Sequence, residues 1–186
     1  MPVDDILLEA EDKMQKTESV LQNELAGVRT GKASPALVEN ILVEAYGSQM
    51  RLRELAGITA PEPRMIVVQP WDAGTLSAVD KAIQKANIGI TPRVDGKIIR
   101  LVLPELSEQR RQEFVKMIRK TAEESRVAVR HLRRDALLKL KEEAKEGDIT
   151  EDEQTHGEKE VQKLTDTYVK KIDGHLEHKE KEIMTV

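Results

Sequence analysis

The chain has 186 residues, of which 34% are charged and 2% are aromatic, a composition typical of long solvated helices. It contains no cysteine, which excludes disulfides and thiolate chemistry and agrees with a reducing compartment. No apolar run approaches the roughly 20 residues that a membrane span needs, and the first residues, MPVDD, lack the basic start of a signal peptide. We therefore expect a cytoplasmic protein without a membrane segment.

Charge is distributed unevenly along the chain. The net charge is -4 overall, yet residues 106–147 carry +4 and residues 148–186 carry -5. A confined basic segment in an acidic protein favours binding to one defined phosphate-rich site over non-specific binding to any polyanion.

The first predicted element is an amphipathic helix over residues 4–29, because apolar side chains recur there every three or four positions from Leu7 to Val28. From residue 31 the pattern changes to short β-branched runs bounded by turn residues. These runs predict strands at 41–43, 65–68 and 98–103.

Two turn signals organise the same middle segment. Asp95-Gly96 predicts a two-residue hairpin turn before the last strand, and Asp72 predicts the cap of a short helix that covers residues 76–83. Trp71 follows Pro70 at a strand end, and we expect it in the core of this segment.

The helical period returns at Ser107 and persists to about Lys145, where Gly147 supplies a stop. Thr150 and Glu153 then predict a capping box that opens a last helix. Three amphipathic helices hide their apolar stripes best against one another, so residues 1–30 and 106–186 are predicted to form a three-helix bundle. Residues 31–105 form an inserted β/α/β domain, and the predicted fold class is α+β.

The insert is joined to the bundle by two short connections, Thr30-Gly31 and Pro104-Glu105. Glycine and proline interrupt regular structure, so both connections are candidates for a hinge. The same residues are also ordinary helix punctuation, and the residues alone do not separate the two interpretations.

The long helix carries a stripe of arginines beside its apolar face. At 3.6 residues per turn its members fall within roughly 100° of arc; they are Arg119, Arg126, Arg130, Arg133 and Arg134. The planar guanidinium pairs with phosphate and stacks on bases, so the stripe predicts phosphate binding. The alternative is a salt-bridged surface, in which Arg126 and Arg130 pair with Glu123 or with the acidic last helix.

The remaining motifs give little support for catalysis or metal binding. Residues 27–33 are similar to a phosphate-binding loop, but they have three residues instead of four between the glycines and Ala33 after the lysine. His175 and His178 are spaced to share a metal, although surface histidines are the better interpretation. No nucleophile with a base is recognisable, so we expect no enzyme, no metal and no cofactor.

Five segments carry a family resemblance, and they occur in order along the whole chain: 28–37 (VRTGKASPAL), 99–104 (IRLVLP), 107–111 (SEQRR), 126–136 (RVAVRHLRRDA) and 162–166 (QKLTD). They resemble the ribosome recycling factor family. The resemblance implies an L-shaped protein whose bundle docks on large-subunit ribosomal RNA and whose small domain moves on the hinge and meets elongation factor G. It also implies that the two factors split the post-termination ribosome and release mRNA and tRNA.

The resemblance assigns the main RNA contacts to Arg130 and Arg133, with Arg29 and Arg134 nearby. Together with the stripe, the expected RNA-binding set is Arg133, Arg130, Arg134, Arg126, Arg29 and Arg119. We expect a monomer. The competing interpretations are a helical scaffold or chaperone-like module, which would lack salt-dependent RNA affinity, and an undetected enzyme, which would have a ligand pocket.

Overall fold

The computed structural model describes residues 2–185 and contains, within them, five α-helices and six β-strands. The helices are α1 (Val3–Ala26), α2 (Leu52–Leu55), α3 (Leu76–Lys85), α4 (Glu108–Glu146) and α5 (Glu151–Met184). The strands are β1 (Leu42–Ala45), β2 (Ser48–Arg51), β3 (Ala56–Glu62), β4 (Met65–Pro70), β5 (Pro92–Asp95) and β6 (Ile98–Val102).

These elements form two compact units. The helical unit combines the chain up to Leu25 with Lys116–Glu180, and the β-unit contains Ala26–Val115 and the residues from Lys181 onward. The expected boundaries differ from this division, since residues 26–30, 106–115 and the end of the chain belong to the β-unit. One reason is Arg111, whose Nη1 donates to the carbonyls of Ile183 at 3.2 Å and Thr185 at 3.0 Å.

The helical unit is a bundle of α1, α4 and α5, as the apolar periodicity predicts. The predicted apolar face of α4 is confirmed at its buried positions; these are Ile118, Ala122, Val129, Ala136 and Leu140. α1 ends at Ala26 instead of residue 29, and the chain beyond it, including Arg29, is non-helical. No described helix is long and apolar enough to cross a membrane.

The connection between α4 and α5 follows the local signals closely. Gly147 has a φ of +83°, which a side chain would disfavour, and it ends α4 as predicted. The predicted capping box is confirmed: the Glu153 amide donates to Thr150 Oγ1 at 3.1 Å and the Thr150 amide donates to Glu153 Oε2 at 2.8 Å. Both ends of the connection are therefore set by nearby residues.

The β-unit contains a two-stranded sheet, β1-β2, and a four-stranded antiparallel sheet of order β3-β4-β6-β5. Its core is formed by one face of these strands and by α3; fully buried members are Val43, Ile66, Val68, Val79, Ile83, Ile99 and Leu101. Asp72 was expected to cap α3 but caps the short 3₁₀ turn before it: its Oδ1 accepts from the Gly74 amide at 2.9 Å, while Thr75, at the N-cap position of α3, makes no side-chain capping bond.

The β-unit differs from the prediction in its elements and in one turn. The strands β2 and β3 and the short helix α2 were not expected; β3 contains Gly57 and Pro61, which an edge strand tolerates because only one side of it is paired. The hairpin turn is Gly96-Lys97, one residue later than predicted, since Asp95 pairs with Ile98.

Trp71 was expected in the core and is 70% exposed. Along β4 the buried side chains are at even-numbered positions, Ile66, Val68 and Pro70. Trp71 therefore has the parity of the exposed side of the strand, because successive side chains point to opposite faces.

Candidate nucleic-acid interface

The arginine face of α4 lies beside α5, and the two helices run antiparallel. Contacts between them recur at seven-residue steps along α4, at Arg119, Arg126 and Arg133. The partners on α5 are Glu180 and Asp173 for the first two arginines, but Gln162 for the third. The expected face is therefore present, and its members differ in what they contact.

The first part of the face is neutralised by ion pairs. Arg119 Nε lies 2.6 Å from Glu180 Oε1, and this hydrogen bond raises the pKa of Arg119. Arg126 lies between two carboxylates, with Nη2 2.6 Å from Asp173 Oδ1 and Nη1 2.9 Å from Glu123 Oε2.

Burial acts to lower the pKa of Arg126, but its hydrogen bonds to Asp173 and Glu123 outweigh burial and raise that pKa. Arg130 Nη1 lies 3.3 Å from Glu123 Oε1. Arg126 and Arg130 thus form the ion pairs that the alternative interpretation, a salt-bridged surface, predicts.

Arg133 has a neutral partner in place of a carboxylate. Its Nη1 donates to Gln162 Oε1 at 2.9 Å, and Gln162 Nε2 in turn donates to Asp166 Oδ1 at 2.9 Å. Gln162 thus stands between the guanidinium and the nearest acidic residue of this network. The Nε of Arg133 is buried and has no hydrogen-bond partner among the described residues.

Arg134 is exposed on the same helix. Within residues 2–185, no carboxylate forms an ion pair with it. Arg133 and Arg134 are therefore the two adjacent arginines of the face whose positive charge is left uncompensated by a direct ion pair.

Arg29 lies in the β-unit, in non-helical chain that follows α1, and is only 8% exposed. Its Nε and Nη2 are buried without hydrogen-bond partners among the described residues. Burial, reinforced by the positive charges of Arg110 and Arg64, lowers the pKa of Arg29. The pKa of Arg29 is thus shifted in the opposite direction to the pKa values of Arg119 and Arg126 on α4.

The expected hinge residues lie in non-helical chain. Thr30 and Gly31 follow the end of α1, and Thr30 Oγ1 donates to the carbonyl of Lys32 at 3.2 Å. Pro104 and Glu105 lie between β6 and α4. All four residues belong to the β-unit.

The two histidines considered for metal binding have other surroundings. His175 Nε2 lies 2.9 Å from Glu18 Oε1 of α1, so this side chain contacts a neighbouring helix and is not simply exposed. Residues 2–185 contain no group of three or more side chains arranged to hold a metal ion.

The sequence reasoning did not single out Gln162. A signal for it exists, because Arg119, Arg126 and Arg133 follow each other at seven-residue steps, and so do Glu180, Asp173 and Asp166 in the opposite direction. Two antiparallel helices at this spacing would pair Arg133 with Asp166. Gln162 precedes Asp166 by four residues, so it lies next to Asp166 on the helix surface and contacts both Arg133 and Asp166.

Comparison with known proteins agrees with this architecture. A family model described as ribosome recycling factor matches residues 21–184. The chain is 53% identical to the ribosome-recycling factor of Carboxydothermus hydrogenoformans and 50% identical to that of Roseiflexus castenholzii, with 99% of this chain and 100% of each relative covered.

Two solved structures are also similar over the full chain. A solution structure of the ribosome recycling factor has a TM-score of 0.79 at 45% identity and covers 99% of this chain and 98% of its own. A structure described as models for the T. thermophilus ribosome recycling factor and the E. coli elongation factor G bound to the E. coli post-termination complex has a TM-score of 0.68 at 44% identity, with 100% of both chains covered. Because the family model, the relatives and the long bundle with its small β-unit all agree, the chain belongs to the ribosome recycling factor family.

Proposed function

We propose that this protein binds the post-termination ribosome through ribosomal RNA of the large subunit and, with elongation factor G and GTP hydrolysis, splits the ribosome into subunits. mRNA and tRNA leave as the subunits part. Family membership supports the proposal, as does the related factor described with elongation factor G on a post-termination complex. In this role the protein acts as a monomeric, non-enzymatic factor without a cofactor.

The RNA contact is proposed to centre on Arg133 and Arg134. A phosphate that approaches Arg119 or Arg126 competes with a carboxylate already in place, whereas one that approaches Arg133 displaces only an amide oxygen. The neutral partner of Arg133 is the observation that carries the proposal, because its guanidinium is held by an amide oxygen and not by a carboxylate, so its charge remains available to a phosphate. Arg130 and Arg126 line the same face, and Arg119 lies at its far end.

Co-sedimentation with large ribosomal subunits tests the contact. Arg133→Met keeps an unbranched stem about as long as the apolar part of arginine and removes the guanidinium with its charge, and it should weaken binding about 5- to 150-fold, the loss of about 1 to 3 kcal/mol. Arg119→Met changes net charge equally but removes an arginine that is already paired, so its effect should be much smaller. Equal losses in the two variants would show that the paired and unpaired arginines contribute alike.

Gln162→Glu tests the role of the neutral partner without removing any arginine. The new carboxylate would lie at the position of the amide, 2.9 Å from Arg133 Nη1, and should hold the guanidinium in an ion pair. Subunit affinity should then fall by about the same factor as for Arg133→Met. An unchanged affinity in Gln162→Glu would contradict a direct phosphate contact by Arg133.

We also propose that Thr30, Gly31, Pro104 and Glu105 form a hinge used during splitting. The support is their position in the non-helical chain that follows α1 and in the non-helical chain between β6 and α4. Because the chain has no cysteine, two introduced cysteines, one on an exposed site of each unit, label it uniquely for single-molecule energy transfer. A broad distance distribution that narrows on ribosomes supports the hinge, and one narrow distribution that stays unchanged on ribosomes overturns it.

A further inference from the structure

Glu123 of α4 contacts two members of the arginine face at once. Its Oε2 lies 2.9 Å from Arg126 Nη1, and its Oε1 lies 3.3 Å from Arg130 Nη1. Each oxygen of one carboxylate thus accepts from a different guanidinium. A phosphate between the same two arginines would make the same pair of contacts through its two non-bridging oxygens. The carboxylate therefore lies where a phosphate would bind on this face.

The two arginines depend on Glu123 to different degrees. Arg126 has a second carboxylate partner, since its Nη2 lies 2.6 Å from Asp173 Oδ1. For Arg130, Glu123 supplies the only ion pair within residues 2–185. If the Glu123 side chain moves away, Arg126 stays paired with α5, whereas the charge of Arg130 becomes available. Glu123 thus controls one arginine of the face.

The position of Arg130 decides how large the uncompensated surface can be. Arg130 lies three residues before Arg133 and four before Arg134, and residues at these spacings are neighbours on a helix surface. Arg133 and Arg134 have no carboxylate partner among the described residues. Displacement of Glu123 therefore extends the uncompensated surface from two arginines to three adjacent ones.

The contact made by Glu123 adds little to the fold. The side chains of Glu123 and Arg130 are 54% and 47% exposed, and water screens ion pairs at such positions. The hydrogen bond from Arg126, together with that from Arg130, lowers the pKa of Glu123, so the group is a carboxylate at neutral pH. Its negative charge consequently bears on whatever anion approaches the face more than on stability.

We propose that Glu123 is an internal competitor of RNA, and that ribosomal RNA displaces its carboxylate from Arg130 when the protein binds. The inference rests on the proposed function, because it concerns how the α4 face admits a backbone phosphate. An anion that contacts Arg130 alone competes poorly with a carboxylate tethered beside it. A phosphate chain that also contacts Arg133 and Arg134 can displace it, so Glu123 makes binding at Arg130 conditional on the neighbouring contacts.

Co-sedimentation with large ribosomal subunits measures the dissociation constants of full-length variants. Glu123→Gln should tighten binding about 3- to 10-fold, because both the competition and the repulsion of phosphate are lost. Glu123→Asp keeps the charge but shortens the side chain, so it should no longer reach both arginines and should tighten binding about 2- to 5-fold. Glu124→Gln changes the net charge equally at an exposed neighbour that faces another side of the helix, and it should change affinity less than about 1.5-fold.

The dependence on Arg130 separates this competition from a general effect of net charge. In an Arg130→Met background, Glu123→Gln should tighten binding less than about 1.5-fold, because the arginine that it releases is absent. An equal gain with and without Arg130, or wild-type affinity in Glu123→Asp, would overturn the proposal. If neither Glu123 variant changes affinity while Arg133→Met weakens it, the competitor role is wrong and the proposed function stands. If Arg133→Met also has no effect, the proposed RNA contact is itself wrong.

Discussion

The two faces of α4 differ in what they contribute to the molecule. On one face Ile118, Val129 and Leu140 are completely buried against the other helices of the bundle. On the adjacent face the arginines are partly or fully exposed, and three of them, Arg119, Arg126 and Arg133, contact side chains of α5. Burial of apolar area stabilises the fold, whereas exposed ion pairs add little, so the side of α4 that stabilises the bundle differs from the side that we propose for binding.

The arginine face itself is divided. Arg119, Arg126 and Arg130 have carboxylate partners, while Arg133 and Arg134 have none among the described residues. A basic stripe is therefore not a uniform surface, because the neighbouring helix decides which charges remain available to a ligand.

The largest expected effect is on the buried face. Leu140→Ala removes a fully buried side chain and should lower the free energy of unfolding by about 2 to 5 kcal/mol through lost burial and a cavity. Leu138→Ala, two residues away on the same helix at a 57% exposed position, should change it by less than about 0.5 kcal/mol. Denaturant unfolding measures both, and similar losses would contradict the phase of the apolar face.

A pair of glycines in α5 tests the same division on the neighbouring helix. A Cβ at Gly157 would lie 2.9 Å from Leu140 Cδ2 and 3.1 Å from Val3 Cγ1, so Gly157→Ala should destabilise by about 1 to 3 kcal/mol. A Cβ at Gly174 would meet nothing within 4 Å. Gly174→Ala should therefore stabilise by about 0.5 to 1 kcal/mol, through helix propensity alone. Thermal and denaturant unfolding of the two variants should move in opposite directions.

A smaller effect separates the paired arginines from the unpaired ones. The Arg126 side chain is 19% exposed between two carboxylates, so Arg126→Met should cost about 0.5 to 1 kcal/mol of stability. Arg133→Met removes one exposed hydrogen bond, to Gln162, together with a buried Nε that has no partner, so it should leave stability nearly unchanged. If Arg133→Met proves to be the more damaging for stability, Arg133 has a structural role that outweighs its role in binding.

The smallest expected effect is a pH dependence on the α1 side of the bundle. Hydrogen bonds from Lys13 and Lys139 lower the pKa of Glu9 from 4.5 to about 2. A carboxyl group with a lowered folded-state pKa stabilises above its unfolded pKa, and that contribution is lost as pH falls from about 4.5 towards 2. Glu9→Gln should flatten the acid side of the stability curve in this window, and Glu24→Gln, an exposed control on α1, should not. Coincident curves for wild type and Glu9→Gln would contradict the assignment.

Much of the helical unit could be predicted from the residues, because its signals are local. The apolar repeat of α4, the glycine that ends it and the capping box at Thr150 and Glu153 each depend on residues within a few positions of one another. The arginine face followed from the same periodicity. The family resemblance could also be recognised from the sequence, because each of its segments is a continuous stretch of the chain.

The β-unit was less predictable because strand pairing joins distant residues. β3 has little alternation, and it is a strand because β4 supplies its hydrogen-bonding partners. The exposure of Trp71 depends on which side of β4 faces the core, and its residue type alone indicated the opposite.

Tertiary structure alone decided which charges of the candidate site are available. The packing of α5 against α4 pairs Arg126 with the carboxylate of Asp173 but pairs Arg133 with the amide of Gln162. The sequence of α4 alone does not show this difference, because both partners lie on α5. The early end of α1 puts Arg29 into the β-unit, where it is buried beside two other arginines. Periodicity determines which side chains share a face; only the neighbouring elements determine whether their charges are compensated.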